Sequence, residues 1–440
     1  MSFRLPNWLN VFRFPDDLWE KFSVTFICLL VYRAGAHIAT PGVNVQALAD
    51  FLKNAGQGTL FSLYDLFAGG GFSRATVFAL GIMPYISASI VFQLAAPVFP
   101  VVEKMQRDEE GRKKLTQWTR YLTVVLCFFQ AYGYALFTEQ LSTAVATPGW
   151  GFRMTTVLTL STGGIFVMWL GEQITERGIG NGASLLIFFS IVERMWPETL
   201  RTIEALKAHS LTFPVLLVVL AVMVFVVAGT VAVTVAARRV PIQIPRKVMG
   251  RGRIREGQKT FIPLRINSSG VMPIIFAQSL IIVPGTLATF SGNAALKRLA
   301  EYFSVTSWVY VVTSAVLIVF FAYFYTSIIF NPVDLAENLK KQGGFIPGVK
   351  PGAATADYID ELLSRVTFPG ALFLTVVAML PIVISNVLNM PFGFGGTALL
   401  IVVGVALDTV QQVQQHLLLR HYDGFMKEGR VKFRGRQRYT

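Results

Sequence analysis

Residues 78–94 read FALGIMPYISASIVFQL, and residues 267–280 read NSSGVMPIIFAQSL. Both stretches carry a Gly-x-Met-Pro break, Gly81-Ile82-Met83-Pro84 and Gly270-Val271-Met272-Pro273, followed by an apolar run with scattered hydroxyls and amides. Glycine and proline punctuate a helix, because one frees the backbone and the other removes a donor. Breaks at matching places in two halves of a membrane chain point to an inverted repeat with a site between the halves. Chance can also supply a five-residue echo in a Gly- and Pro-rich membrane protein, so the surroundings have to decide.

Working outward, apolar blocks recur along the whole chain. They run Leu18–Ile38, Ala75–Val98, Thr116–Phe137, Met154–Gly171 and Ala183–Trp196, then Thr212–Ala236, Ser268–Phe290, Thr306–Phe330, Thr367–Leu388 and Thr397–Leu419. A spanning helix needs about 20 apolar residues to cross a core about 30 Å thick. Most blocks meet that length; Ala183–Trp196 is short and alone could be re-entrant. The two breaks then fall in the second and seventh blocks, the second span of each five-helix half. Of 440 residues 53% are hydrophobic and only 15% charged, with mean hydropathy +0.54. A soluble domain carries about a quarter charged residues. The expected fold is all-α, a polytopic membrane protein of ten helices in two pseudo-symmetric halves, 1–211 and 212–440. Met1 to Glu20 is polar and mixed, with no cleavable signal pattern, so the first block reads as a retained span.

The net charge is +14, and its placement orients the chain. Ten spans put both termini on one side. The loops of that side hold 30 basic residues and the opposite loops 8, with Arg33 left inside the first span. By the positive-inside rule the termini are cytoplasmic. Much of this charge lies in two long loops, 238–266 and 331–366, and in a tail, 420–440. Loops of that length are either functional or solvated connectors biased by topology.

The middle of the membrane is apolar. Arg33, His37 and Asp408 are nearly all its charge, and Ser87, Ser89, Gln93, Gln278 and Ser279 supply hydroxyls and amides. An ion-coupled transporter, the rival reading, places ionisable groups near the midplane. If the repeat is real, Ile86 corresponds to Ile275, two residues after each proline. Branched aliphatics facing across a pore exclude water, though isoleucine in a span also faces lipid or a neighbouring helix. Residues 59–74, TLFSLYDLFAGGGFSR, are too short to cross; the run is either a re-entrant helix hinged at Gly69–Gly71 or an interfacial turn. Gly180-Asn181-Gly182-Ala183-Ser184 lacks the strand–turn–helix setting of a nucleophile elbow, and no Walker or H-E-x-x-H motif occurs. Cys28 and Cys127 sit in apolar blocks and read as small hydrophobes, and four histidines give a metal site little to build on. No enzyme and no cofactor is expected.

Four motifs resemble one family. FALGIMPYISASIVFQL from Phe78, WLGEQITERGIGNGASLLIF from Trp169, FNPVDLAENLKKQGGFIPGVKPG from Phe330 and FGGTALLIVVGVALD from Phe394 are similar to bacterial SecY. They occur in order from the second span to the last. The resemblance implies a clamshell with an hourglass pore that passes unfolded secretory or membrane proteins and releases apolar segments sideways into the lipid bilayer. It implies a pore ring of Ile82, Ile86, Ala183, Ile187, Ile275 and Ile401, with Ala183 smaller than the bulky aliphatic usual there. It implies a plug near residues 60–72 carrying Leu60, Phe61, Leu63, Tyr64, Leu66 and Phe67. Ser87, Gln93, Ser279 and Val283 become lateral-gate positions between the second and seventh spans. Arg251, Arg253, Arg255 and Lys350 become docking residues for a ribosome or the SecA motor, Lys350 replacing a more usual arginine. SecE and SecG are implied as small membrane partners.

Overall fold

The computed structural model describes residues 16–54, 60–141, 144–208, 213–243, 248–249, 253–254, 259–267, 269–290, 302–304, 307–388 and 396–428. Helices dominate. The first half holds α1 (Asp16–Gly35), α2 (Val45–Asn54), α3 (Leu60–Phe67), α4 (Met83–Val98), α5 (Pro100–Arg107), α6 (Glu109–Gln140), α7 (Trp150–Arg177) and α8 (Gly182–Lys207). The second holds α9 (Phe213–Val235), α10 (Met272–Phe290), α11 (Trp308–Ile329), α12 (Pro332–Lys341), α13 (Ala353–Leu388) and α14 (Gly396–Glu428).

Six described helices, α6, α7, α9, α11, α13 and α14, are long and apolar enough to cross a membrane. α4 meets α5 at a 112° bend, and the pair together is apolar and long enough for a seventh span. α1, α8 and the shorter apolar α10 stand where the first, fifth and seventh spans are expected. The chain is a polytopic all-α membrane protein. α9 shows what faces lipid: its most apolar window has a mean hydropathy of 3.0 and is only 11% buried by protein. Ion pairs tie α6 to α7 near both ends, Arg120 to Glu172 and Arg153 to Glu139, each at 2.8 Å.

The repeat is visible in the backbone. Gly81 and Gly270 both adopt left-handed conformations, φ +55° and +62°, that a side chain disfavours. α4 starts at Met83 and α10 at Met272, each with its proline in the first turn, where the missing N–H costs nothing. The second apolar block is therefore not helical throughout. Residues 68–82 form successive turns, buried almost entirely, and the helix begins only at Met83. Hydropathy cannot separate burial in protein from burial in lipid. The fifth block is corrected in the other direction: α8 runs 26 residues to Lys207, through Pro197.

The two long basic loops are ordered platforms where described. β1 (Ala237–Gln243) pairs antiparallel with β4 (Lys259–Arg265), Val240 opposite Ile262. A smaller ribbon joins β2 (Val248–Met249) to β3 (Arg253–Ile254). The second loop is mostly helix, α12 plus the first turns of α13. Val240, Ile242 and Leu264 pack with Leu339, Ile346 and Ile359 in a core of their own. A bridge from Gln243 to Phe345 joins the loops. Val240 and Ile242 are buried while Arg239 and Pro241 are exposed, a two-residue alternation too short, and too broken by its proline, to read as a strand alone. One larger cluster, from Cys28 to Val405, draws on both halves and surrounds the centre.

Candidate functional site

The ring positions lie on four helices. Ile82 is the residue before α4 and Ile86 stands one turn into it; Ala183 and Ile187 are one turn apart at the start of α8; Ile275 is in α10 and Ile401 in α14. Five are buried isoleucines, none more than 4% exposed, and Ala183 packs against them half-buried. A cavity of about 180 Å³ is lined by Ile86, Ala183, Ile187 and Ile275, so α4, α8 and α10 present these side chains to one space. Ile82 lies beside it, its Cδ1 3.1 Å from where a Cβ on Gly171 would stand. Ile401 is not on that cavity, although α14 packs against both α8 and α10. Ala183 leaves the wall thinner on the α8 side.

The re-entrant segment is seated at the centre, not at the surface. α3 touches α8 and α10, and residues 63–72 are buried without interruption. Leu63, Tyr64, Leu66 and Phe67 are at most 7% exposed; Phe61 is half-buried and stacks on Phe72 at 5.6 Å. Leu60 begins α3, but its side chain lies outside the described residues. Two polar ties hold the segment. The Tyr64 hydroxyl donates to the Leu80 carbonyl at 3.1 Å and to Gln130 Oε1 at 3.3 Å. Asp65 accepts from the Ser73 amide at 2.9 Å and pairs with Arg194 of α8 at 2.5 Å. Next along α8, Glu193 pairs with Arg33 of α1 and, at 3.5 Å, with Arg74. Gly69 and Gly70 take φ +64° and +76°, and a Cβ on Gly69 would come within 3.2 Å of Ser190 Cβ. The glycines let the chain turn where it touches α8.

These charged residues were not among the sequence candidates. The signal was present as Asp65 inside an apolar run and Glu193-Arg194 inside a short span, each expensive in a membrane unless paired.

α4 and α10 meet along a seam. Ser279 is 1% exposed, its Oγ 4.0 Å from Met83 Sδ. Ser87 donates to its own helix, to the Met83 carbonyl at 3.0 Å. Gln93 crosses to α11, accepting from the Tyr325 hydroxyl at 2.6 Å, and Tyr325 packs edge-on against Phe276 of α10. Val283 is half-buried on α10. Among the described residues, Gln93 ties α4 to α11, the Ser279 hydroxyl donates weakly to Met83 Sδ between α10 and α4, and the rest of the seam is apolar contact.

Of the docking candidates, Arg251 and Arg255 lie outside the described residues. Arg253 is in β3, its side chain likewise undescribed. Lys350 is exposed beside α13, its carbonyl accepting from the Thr355 hydroxyl at 2.8 Å. Among the described residues no group of His, Cys, Asp and Glu could hold a metal ion.

Comparison with known proteins gives the family and the fold. The family model described as SecY matches residues 76–410. The protein translocase subunit SecY of Aquifex aeolicus is 44% identical over 418 residues, covering 93% of this chain and 97% of that one. That of Escherichia coli is 42% identical, covering 96% of each. A solved protein-conducting channel superposes with TM-score 0.67 at 18% identity, covering 94% of this chain and 95% of its own. The channel of a canine ribosome–channel complex from the endoplasmic reticulum does so at 0.62 and 16%, covering the same shares. A match over most of the chain, with near-full-length relatives above 40% identity, shows that this chain belongs to the SecY family of protein translocase subunits.

Proposed function

We propose that this chain is the channel itself, resting closed, with Ile82, Ile86, Ala183, Ile187, Ile275 and Ile401 as its gasket and α3 as its plug. The observation that carries the reading is the convergence of Ile86, Ile187 and Ile275 on one cavity, with α3 held against α8 by the Asp65–Arg194 pair. Aliphatic side chains close around an extended polypeptide without selecting any side chain. They also keep the constriction dry, and stripping water from an ion is costly.

The gate is the seam between α4 and α10, where Ser87, Gln93, Ser279 and Val283 lie. An apolar segment of about 20 residues partitions through it, because hydrocarbon suits it better than a wet pore. The channel is passive, so a partner pushes the chain. The basic platform of β1–β4, α12 and the ribbon carrying Arg253 faces the cytoplasm with both termini, in the bacterial inner membrane, and docks a ribosome or the SecA motor through Arg251, Arg253, Arg255 and Lys350. A ribosome-bound neighbour of the same fold supports the first. SecE and SecG accompany it.

Site-specific crosslinking tests the path. A stalled secretory chain should react with photoreactive residues at 86 and 275 and not with one at Val224, an exposed position on α9. Equal labelling at all three positions would mean the chain does not pass through the ring.

A further inference from the structure

Asp408 is an acidic residue in the apolar part of α14 that no channel part described above employs. Its half-buried side chain lines a polar cavity of about 350 Å³ with Asn181, Ser184, Thr409 and Gln412. Gly270 makes the room: a Cβ there would lie 3.4 Å from Asp408 Oδ2, on a residue already in the left-handed region. The neighbouring amides are occupied. Gln412 Oε1 accepts from the Gly180 amide at 2.9 Å, and Gln411 Oε1 accepts from Arg265 Nη1 at 2.7 Å. Arg265 partly offsets the negative charge from the rim. The carboxylate, in contrast, faces the cavity.

The polar cavity adjoins the cavity at the ring, since Asn181, Ser184 and Met272 line both. A carboxylate-bearing space next to a cavity walled on one part by Ile86, Ile187, Ile275 and Phe276, at the gate seam, matches a peptide that leads with positive charge and continues with 7–15 apolar residues, the layout of a secretory signal. We propose that Asp408 and this cavity form a subsite for a lysine or arginine side chain at the basic leading end of an incoming polypeptide, an inference that rests on the channel reading. An ammonium or guanidinium group there gains a charge-assisted hydrogen bond where water is partly excluded, and the apolar run behind it is delivered to α4 and α10.

The full-length channel in nanodiscs of phosphatidylcholine alone removes anionic lipid as a competing source of attraction. Three fluorescent peptides share one apolar run and differ in a Lys-Lys, Gln-Gln or Glu-Glu leader. The wild type is expected to bind the Lys-Lys peptide roughly tenfold tighter than the Gln-Gln peptide, as a hydrogen-bonded charge allows. Asp408→Asn should bring that ratio to near one, and Asp408→Lys should turn the preference toward Glu-Glu. An undiminished Lys-Lys preference in Asp408→Asn overturns the subsite. A photoreactive group in the apolar run separates the two failures. Ring crosslinks that persist while the preference ignores Asp408 overturn the subsite alone; no ring crosslink in the wild type overturns the channel reading with it.

Discussion

Gly81 and Gly270 occupy equivalent places in the two halves, yet they receive different neighbours. A Cβ on Gly81 would stand 3.3 Å from the Cα of Ala68, just after α3, whereas one on Gly270 would meet Asp408. The same backbone break thus admits the plug in one half and a carboxylate in the other. At a φ of +55° an alanine at Gly81 costs about 1–2 kcal/mol before any contact is counted. The isoleucines two residues past each proline act differently, through what they exclude. Ile86 is 4% exposed and Ile275 2%. Replacing either with asparagine places an amide in an apolar ring, and holding water there becomes easier by about 1–3 kcal/mol. We expect Ile86→Asn and Ile275→Asn each to raise resting ion conductance in planar bilayers roughly tenfold, since about 1.4 kcal/mol of barrier is one decade in rate. A conductance equal to wild type would remove these residues from the constriction. Both positions were legible in the sequence from the Gly-x-Met-Pro echo alone. Ala183, Ile187 and Ile401 were not, because nothing local marks them, and they entered only through the family resemblance.

Among the elements, α3 is held by one ion pair more than by its own length. Eight residues are too few to form a stable helix alone. Asp65 is 6% exposed and its partner Arg194 is a quarter exposed at its side chain, so the pair is neither free of desolvation cost nor lost to solvent. Arg194→Gln leaves a buried carboxylate with the Ser73 amide and should weaken the seating of α3 by about 2 kcal/mol. The expected phenotype is a leakier resting channel and faster proteolysis or thiol labelling of α3. Asp65→Asn combined with Arg194→Gln should leak less than Arg194→Gln alone, because no uncompensated charge remains; an additive double variant would show that the pair does not hold the plug. Hydropathy showed that residues 59–74 could not cross the membrane but could not say where they lodge. The deciding residues were on α8: Glu193 and Arg194 interrupt its apolar run near the end of the block and Pro197 follows it, which made the block look short, yet the helix continues to Lys207. These charges are tolerated because protein, not lipid, surrounds them. Likewise residues 75–82 looked like the start of a span because they are apolar, yet their backbone turns are protected by burial against α3 and α7.

For the whole molecule, charge distribution and symmetry set what can move. The ten-span count and the basic asymmetry followed from composition, but the strands of the first basic loop and the helix of the second were hidden, since both elements get their apolar contacts from each other. Val240 and Ile242 have no core until Leu339 and Ile359 arrive. Charge reversal at Arg251, Arg253 and Arg255 together should weaken ribosome or motor binding and flatten its salt dependence, while leaving signal-peptide crosslinking at the ring intact; binding as tight and as salt-sensitive as wild type would place docking elsewhere. Opening sideways is a different motion. α4 belongs to one half and α10 to the other; apolar contact and the weak Ser279–Met83 hydrogen bond join them, with the Gln93–Tyr325 bond beside them to α11, so the halves can part without breaking any ion pair between α4 and α10 in the described residues. Ser279 Oγ and Met83 Sδ face each other at 4.0 Å near the start of α4. Cysteines at these two positions, with Cys28 and Cys127 replaced by alanine, should be joined by a short bifunctional thiol reagent across the closed seam. The joined channel should lose translocation of secretory chains and release of apolar segments into lipid, and a cleavable reagent should restore both on reduction. If the joined channel still translocates but cannot release apolar segments, the pore widens without parting this seam, and α4 and α10 serve lateral exit alone.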